Sequence, residues 1–146
     1  GGNVAAMTAT VTAFNQTDED TTVSCVPNAL VLFNPVYDNG PDGYGQSRVK
    51  ERWREFSPMH NIRKGIPPAI VFLGTKDKLI PVKTGETFRD MMREVGSRSE
   101  LFLYEYQPHG FFNFGKSGNK FYVQTWTEMD KFLASLDYLK GDPTVK

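Results

Sequence analysis

Hydrophobic and polar positions alternate between two regimes along this chain: short unbroken apolar runs, and longer stretches in which apolar residues recur every three or four positions. Small and apolar residues from Gly2 to Phe14 (Val4, Ala5, Ala6, Met7, Ala9, Val11, Ala13) predict a closely packed helix that ends before the polar stretch Asn15 to Thr22. Ala29 to Phe33 is a continuous apolar run closed by Asn34-Pro35, the pattern of a strand buried on both faces in a parallel sheet. Glycine, proline, aspartate and asparagine from Val36 to Gln46 mark a loop, after which Ser47 is placed to cap a short charged helix through Glu55. A second buried strand, Ala69 to Leu73, follows Pro67-Pro68.

Helical periodicity returns from Pro81 to Val95 (Val82, Phe88, Met91, Met92, Val95) and stops at Gly96. Leu101 to Tyr106 reads as a third strand, and Tyr122 to Leu139 as an amphipathic helix ended by Gly141-Asp142-Pro143. Alternation of helix and strand throughout predicts an α/β fold: three parallel strands with right-handed crossovers, and helices on both faces in a three-layer arrangement.

The chain has 146 residues, 39% of them hydrophobic and 13% aromatic, enough for one ordinary core. Seventeen basic residues balance seventeen acidic ones, so no electrostatic footprint calls for a nucleic acid or an anionic membrane as partner. No apolar run approaches the roughly 20 residues that span a bilayer, and the start has no signal-peptide pattern; a soluble domain of undecided compartment is expected. One cysteine, Cys25, excludes an intrachain disulfide, and two histidines with one cysteine give no metal-ligand spacing, so no cofactor or metal is expected. The acidic cluster Asp18-Glu19-Asp20 reads as a solvated loop.

In open parallel sheets the working site forms beyond the carboxyl ends of the strands. Asp77 follows the second strand and His109 the third, so adjacent strands deliver both side chains to one edge. Taken singly, Asp77 reads as a loop cap and His109 as a structural histidine; their joint placement favours an acid and histidine pair. The carboxylate of such a pair fixes the imidazole tautomer and stabilises the imidazolium that forms when the histidine takes a serine proton.

Asn34-Pro35-Val36-Tyr37-Asp38, Ser57-Pro58, Pro67-Pro68, Gly74-Thr75 to Pro81 and Pro108-His109-Gly110-Phe111-Phe112-Asn113, in this order, resemble the esterase and lipase group of α/β-hydrolases. The similarity is strongest to acetylxylan-esterase-like and carbohydrate-ester hydrolases and covers Gly1 to about Leu139. Gly1-Gly2-Asn3 is similar to the end of that group's nucleophile elbow, G-x-S-A-G-G-[HN], which places the serine two residues before Gly1. The resemblance implies Asp77 as triad acid, His109 as general base, an ester as substrate, and a chain cut just after the nucleophile, without serine or oxyanion hole and inactive alone.

Ser24, Cys25, Ser47 and Ser57 are substitutes by chemistry, but none sits in a glycine-flanked strand-to-helix turn. Cys25 reads as a half-buried thiol and His60 as a polar loop histidine with a route to the pocket, while Phe111, Phe112 and Phe114 either line that pocket or pack beneath the last helix. A first strand without its upstream neighbour exposes an apolar edge, and two copies are expected to pair through Ala29 to Phe33 as a homodimer. Two alternatives stay open: a prolyl-oligopeptidase-like peptidase, and a noncatalytic interaction module on an inherited hydrolase fold.

Overall fold

The computed structural model describes residues 1–14, 16–20 and 22–145. Its sheet has three parallel strands in the order β1-β2-β3: β1 is Leu30–Phe33, β2 is Ala69–Gly74 and β3 is Ser99–Tyr104. Register runs Leu30 to Ala69 and Phe33 to Phe72 across the first pair, and Ala69 to Ser99 and Gly74 to Tyr104 across the second. Helices α1 (Gly2–Thr10) and α4 (Val82–Glu94) cover one face and α5 (Lys120–Ala134) the other.

The two faces hold separate cores because side chains alternate across each strand. Leu30, Leu32, Ala69 and Val71 meet Ala6, Ala9, Phe88 and Met92 on one side, while Ile70 and Phe72 meet Phe111 and Phe132 on the other. Every residue of β2 is buried, as expected of a central strand enclosed by both layers.

β1 departs from its sequence pattern: Leu30 and Leu32 are buried, but Val31 and Phe33 are only half-buried. It is an edge strand paired only with β2, and its Val31 and Phe33 pack as partly buried members of the α5-side core. α1 is shorter than its apolar pattern, ending at Thr10, whose carbonyl takes the Arg63 guanidinium at 2.5 Å. Of the polar stretch that follows, Asn15 and Thr21 lie outside the described residues, and Asp18, Glu19 and Asp20 are exposed as expected.

The expected helix from Ser47 to Glu55 is broken. α2 (Gln46–Val49) and α3 (Trp53–Phe56) are separated by a 3-10 turn, with Gly45 rather than Ser47 at the first cap and Lys50 at a φ of 48°. β3 starts two residues before Leu101 because its register with β2 draws in the polar pair Ser99-Glu100, and it ends at Tyr104, ahead of Tyr106 with a φ of 60°.

α5 stops five residues short of Leu139. Asp137 adopts the left-handed conformation (φ 63°), its N–H donates to the Ala134 carbonyl (3.0 Å) and that of Tyr138 to Leu133 (3.0 Å), a Schellman closure made without glycine. Among the described residues no helix is long and apolar enough to cross a membrane.

Candidate active site

Two loops leave the carboxyl ends of neighbouring strands and are stitched to each other. The Thr75 N–H donates to the Tyr104 carbonyl (3.0 Å), Lys76 N–H to Gln107 (2.9 Å), and the Thr75 hydroxyl accepts from Tyr106 N–H (2.8 Å). A Cβ built on Gly74 would overlap the Gln107 carbonyl, so only glycine lets the strands' ends approach this closely.

On this scaffold Asp77 folds back on its own loop. Its Oδ1 accepts the N–H groups of Leu79 (2.8 Å) and Ile80 (3.2 Å), an Asx-type turn that fixes the carboxylate, and its Oδ2 lies 2.8 Å from His109 Nδ1. The Asp77 side chain is 0% exposed and that of His109 47% exposed, so the pair has a sealed end and an open one. An ionised carboxylate can only accept, so Nδ1 donates to it, and in the neutral imidazole Nε2 is then left as the acceptor.

The open end faces a cavity of about 640 Å³ lined in part by Gly1, Gly2, Asn3, Ile80, His109 and Phe112. The start of α1 reaches this place because Gly2 packs against the end of β1, where a Cβ would lie 2.8 Å from Pro35 Cα. Asn3 Nδ2 donates to the Val36 carbonyl (3.1 Å) and to Asn39 Oδ1 (3.1 Å), and Asn39 Nδ2 to the Tyr44 carbonyl (3.0 Å), tying α1 to the loop that forms the far wall. Apart from Arg48 on that wall, the lining beyond these groups is mainly apolar.

The phenylalanines divide. Phe111 is buried beneath α5 against Tyr104 and Phe121, Phe112 packs on Phe33 and faces the cavity, and Phe114 is 73% exposed beside Tyr122. Ser57 is fully buried: its hydroxyl accepts from Asn39 N–H (3.1 Å) and lies 3.0 Å from the Tyr37 carbonyl and 2.8 Å from His60 Nδ1. Buried and engaged with these three groups it has no route to a substrate, and His60, held there with the Trp53 ring nearly perpendicular to it, does not line the cavity. Ser47 and Ser24 are exposed and do not line this cavity. Cys25 is exposed rather than half-buried.

Sequence reasoning gave Asn3, Asn34, Asn39 and Gly74 no individual role: Asn3, Asn34 and Gly74 entered only within the motifs that carry the resemblance, Asn34 also as the end of an apolar run, and Asn39 only as part of a loop.

The three-layer parallel sheet is a partial α/β-hydrolase fold, and an aspartate after one strand, a histidine after the next and a helix N-terminus meet at one cavity beyond it. The solved structures that the chain resembles within that class are esterases. The chain superposes on the propionate-bound esterase 2 of Thermogutta terrifontis with a TM-score of 0.87 and 39% identity, over 97% of this chain and 55% of that one. For the same esterase phosphorylated by paraoxon the TM-score is 0.85 and the identity 38%, over 97% and 52%. It is also 32% identical over 68 residues to the isoprenylcysteine alpha-carbonyl methylesterase ICME of Arabidopsis thaliana, 41% of this chain and 16% of that protein. No family model matches the chain. The chain spans about half the length of the esterase structures it matches.

Proposed function

We propose that residues 1–146 are the C-terminal half of a serine carboxylesterase domain that hydrolyses short acyl esters through an acyl-enzyme, with Asp77 as acid and His109 as base. One observation carries this reading: the Asp77 to His109 hydrogen bond, with the imidazole opening on the cavity that receives the start of α1.

In this mechanism a serine two positions before Gly1 attacks the ester carbonyl while His109 Nε2 takes the hydroxyl proton. Asp77 stabilises the imidazolium, which then returns the proton to the departing alkoxide. A water molecule, deprotonated by His109 in turn, attacks the acyl-serine carbonyl; the acyl–oxygen bond breaks, His109 returns the proton to the serine oxygen, and the acid is released. The oxyanion donors would be the backbone N–H after the serine and an upstream glycine-rich loop, so the 146-residue chain alone is expected to be inactive.

Support for a short acyl group comes from the modest apolar lining and from the propionate and butyrate held by the Thermogutta esterase. In the complete domain, with the serine and the upstream loop present, the alcohol is narrowed by a panel: p-nitrophenyl acetate and butyrate, acetylated xylan, and a prenylcysteine methyl ester. Preference for acetylated xylan would establish a carbohydrate esterase; preference for the prenylcysteine ester would replace that assignment with the activity named for the Arabidopsis relative.

We also propose that two copies of the 146-residue chain pair through the free edge of β1 near Ala29 to Phe33, building one continuous sheet across a two-fold axis. Light scattering at micromolar concentration is expected to give twice the monomer mass, and a well-folded monomer would contradict the pairing.

A further inference from the structure

Asn34 ends β1 with a φ of 42° and is 4% exposed. Its backbone N–H donates to the Phe72 carbonyl (2.9 Å), extending the pairing of β1 with β2 by one residue. Its side-chain amide then has two possible orientations. One sets the NH2 group against the Gly110 N–H, donor to donor, and gains only a long 3.4 Å contact from the Gly74 N–H. The other lets Nδ2 donate to the Phe72 carbonyl (3.2 Å) and Oδ1 accept from the Gly110 N–H (2.9 Å) while giving up the Gly74 contact, and two bonds of ordinary length against one long contact favour it.

Gly110 directly follows His109, and its φ of 72° turns the chain at that point. We propose that Asn34 is a positioning residue for His109: its amide ties the histidine loop to the ends of β1 and β2 and so holds the imidazole at Asp77. The tie needs one donor and one acceptor on a short side chain, attached to a backbone in the left-handed region. Asparagine meets all three requirements; aspartate keeps the backbone and the acceptor, and glycine keeps the backbone alone.

The value of this position for catalysis rests on His109 acting as the base, but the tie itself can be tested without any turnover. In the 146-residue chain, NMR follows hydrogen exchange of the Gly110 amide and the hydrogen-bonded Nδ1 proton of His109, with the amides of β2 as an internal reference. Asn34→Gly is expected to speed Gly110 exchange about tenfold, the loss of one buried hydrogen bond, and to broaden the Nδ1 proton away while Val71 keeps its protection. Asn34→Asp, which retains the acceptor, is expected to return Gly110 exchange to near the wild-type rate.

Unchanged Gly110 exchange with a persistent Nδ1 proton in Asn34→Gly would overturn the proposal. So would equal acceleration at Gly110 and Val71, which marks general loosening, or a Gly110 amide already unprotected in the wild type. A failed esterase assay leaves all these readouts standing, so the two readings fail separately.

Discussion

The Asp77 carboxylate and the His109 imidazole lie 2.8 Å apart although 32 residues separate them, because the loops that carry them leave adjacent strands at one edge of the sheet. The carboxylate is held first by its own loop, through Leu79 and Ile80, and only then by the histidine. Its position therefore does not depend on the imidazole.

That order of dependence separates two substitutions. Asp77→Ala strips the acceptor from two backbone N–H groups and is expected to cost about 1–3 kcal/mol in urea unfolding. His109→Ala leaves the Asx turn whole and is expected to cost less than about 1 kcal/mol. In the complete esterase domain proposed above, Asp77→Asn is expected to lower kcat by roughly 10⁴, through loss of the productive tautomer. Equal stability losses at the two positions would contradict the account.

Gly74→Ala tests the stitching between the loops. The new methyl would overlap the Gln107 carbonyl, which also accepts from Lys76 N–H, so the strand ends must separate. Destabilisation of about 1–3 kcal/mol is expected, together with faster amide exchange at Lys76 and Thr75. A neutral substitution with both amides still protected would show that the approach is not needed.

Tyr37 stacks on Phe88 with ring centroids 3.6 Å apart, and its hydroxyl has no hydrogen-bond partner among the described residues. Tyr37→Phe keeps the stack and removes the orphaned oxygen, so it is expected to be neutral or to stabilise by up to about 1 kcal/mol in thermal unfolding. A clear loss of stability would mean that the hydroxyl holds a partner after all.

Stability should fall in strong alkali. Burial, with help from the nearby Glu128 charge, pushes the Tyr104 phenol up to about 12, and burial holds Tyr37 well above its ordinary value. An unfolded tyrosine titrates near ~10. Below that pH both states keep their phenol protons and the contribution is fully present. From about 10 upwards the unfolded chain releases protons that the folded chain retains, so stability declines until the folded phenols ionise in turn. Urea unfolding between pH 8 and 12 is expected to show this decline, reduced in Tyr104→Phe; a flat profile would contradict it.

Much of this architecture was legible in the sequence because parallel strands write themselves as unbroken apolar runs. Ala69 to Leu73 is the clear case, and the periodicity of α4 with its stop at Gly96 is another. Where reading faltered, context overrode pattern. Ser99 and Glu100 join β3 only because β2 offers a register, and α5 ends early because Asp137 accepts a left-handed backbone usually left to glycine. At the site, Asp77 and His109 could be placed at one edge from chain order alone. Asn34 and Gly74 could not, since their roles lie in which loop comes near them, a fact of tertiary packing with little local trace.

Labelling with a fluorophosphonate serine probe, together with p-nitrophenyl acetate hydrolysis, tests the central claim most directly. It is run on the 146-residue chain and on the same chain extended upstream through the G-x-S-A turn and the glycine-rich loop that precedes it, each with and without His109→Ala. The account predicts no labelling of the 146-residue chain, and stoichiometric labelling with His109-dependent turnover once the serine is present. Stoichiometric, His109-dependent labelling of the 146-residue chain itself, or an inert extended chain, would contradict it.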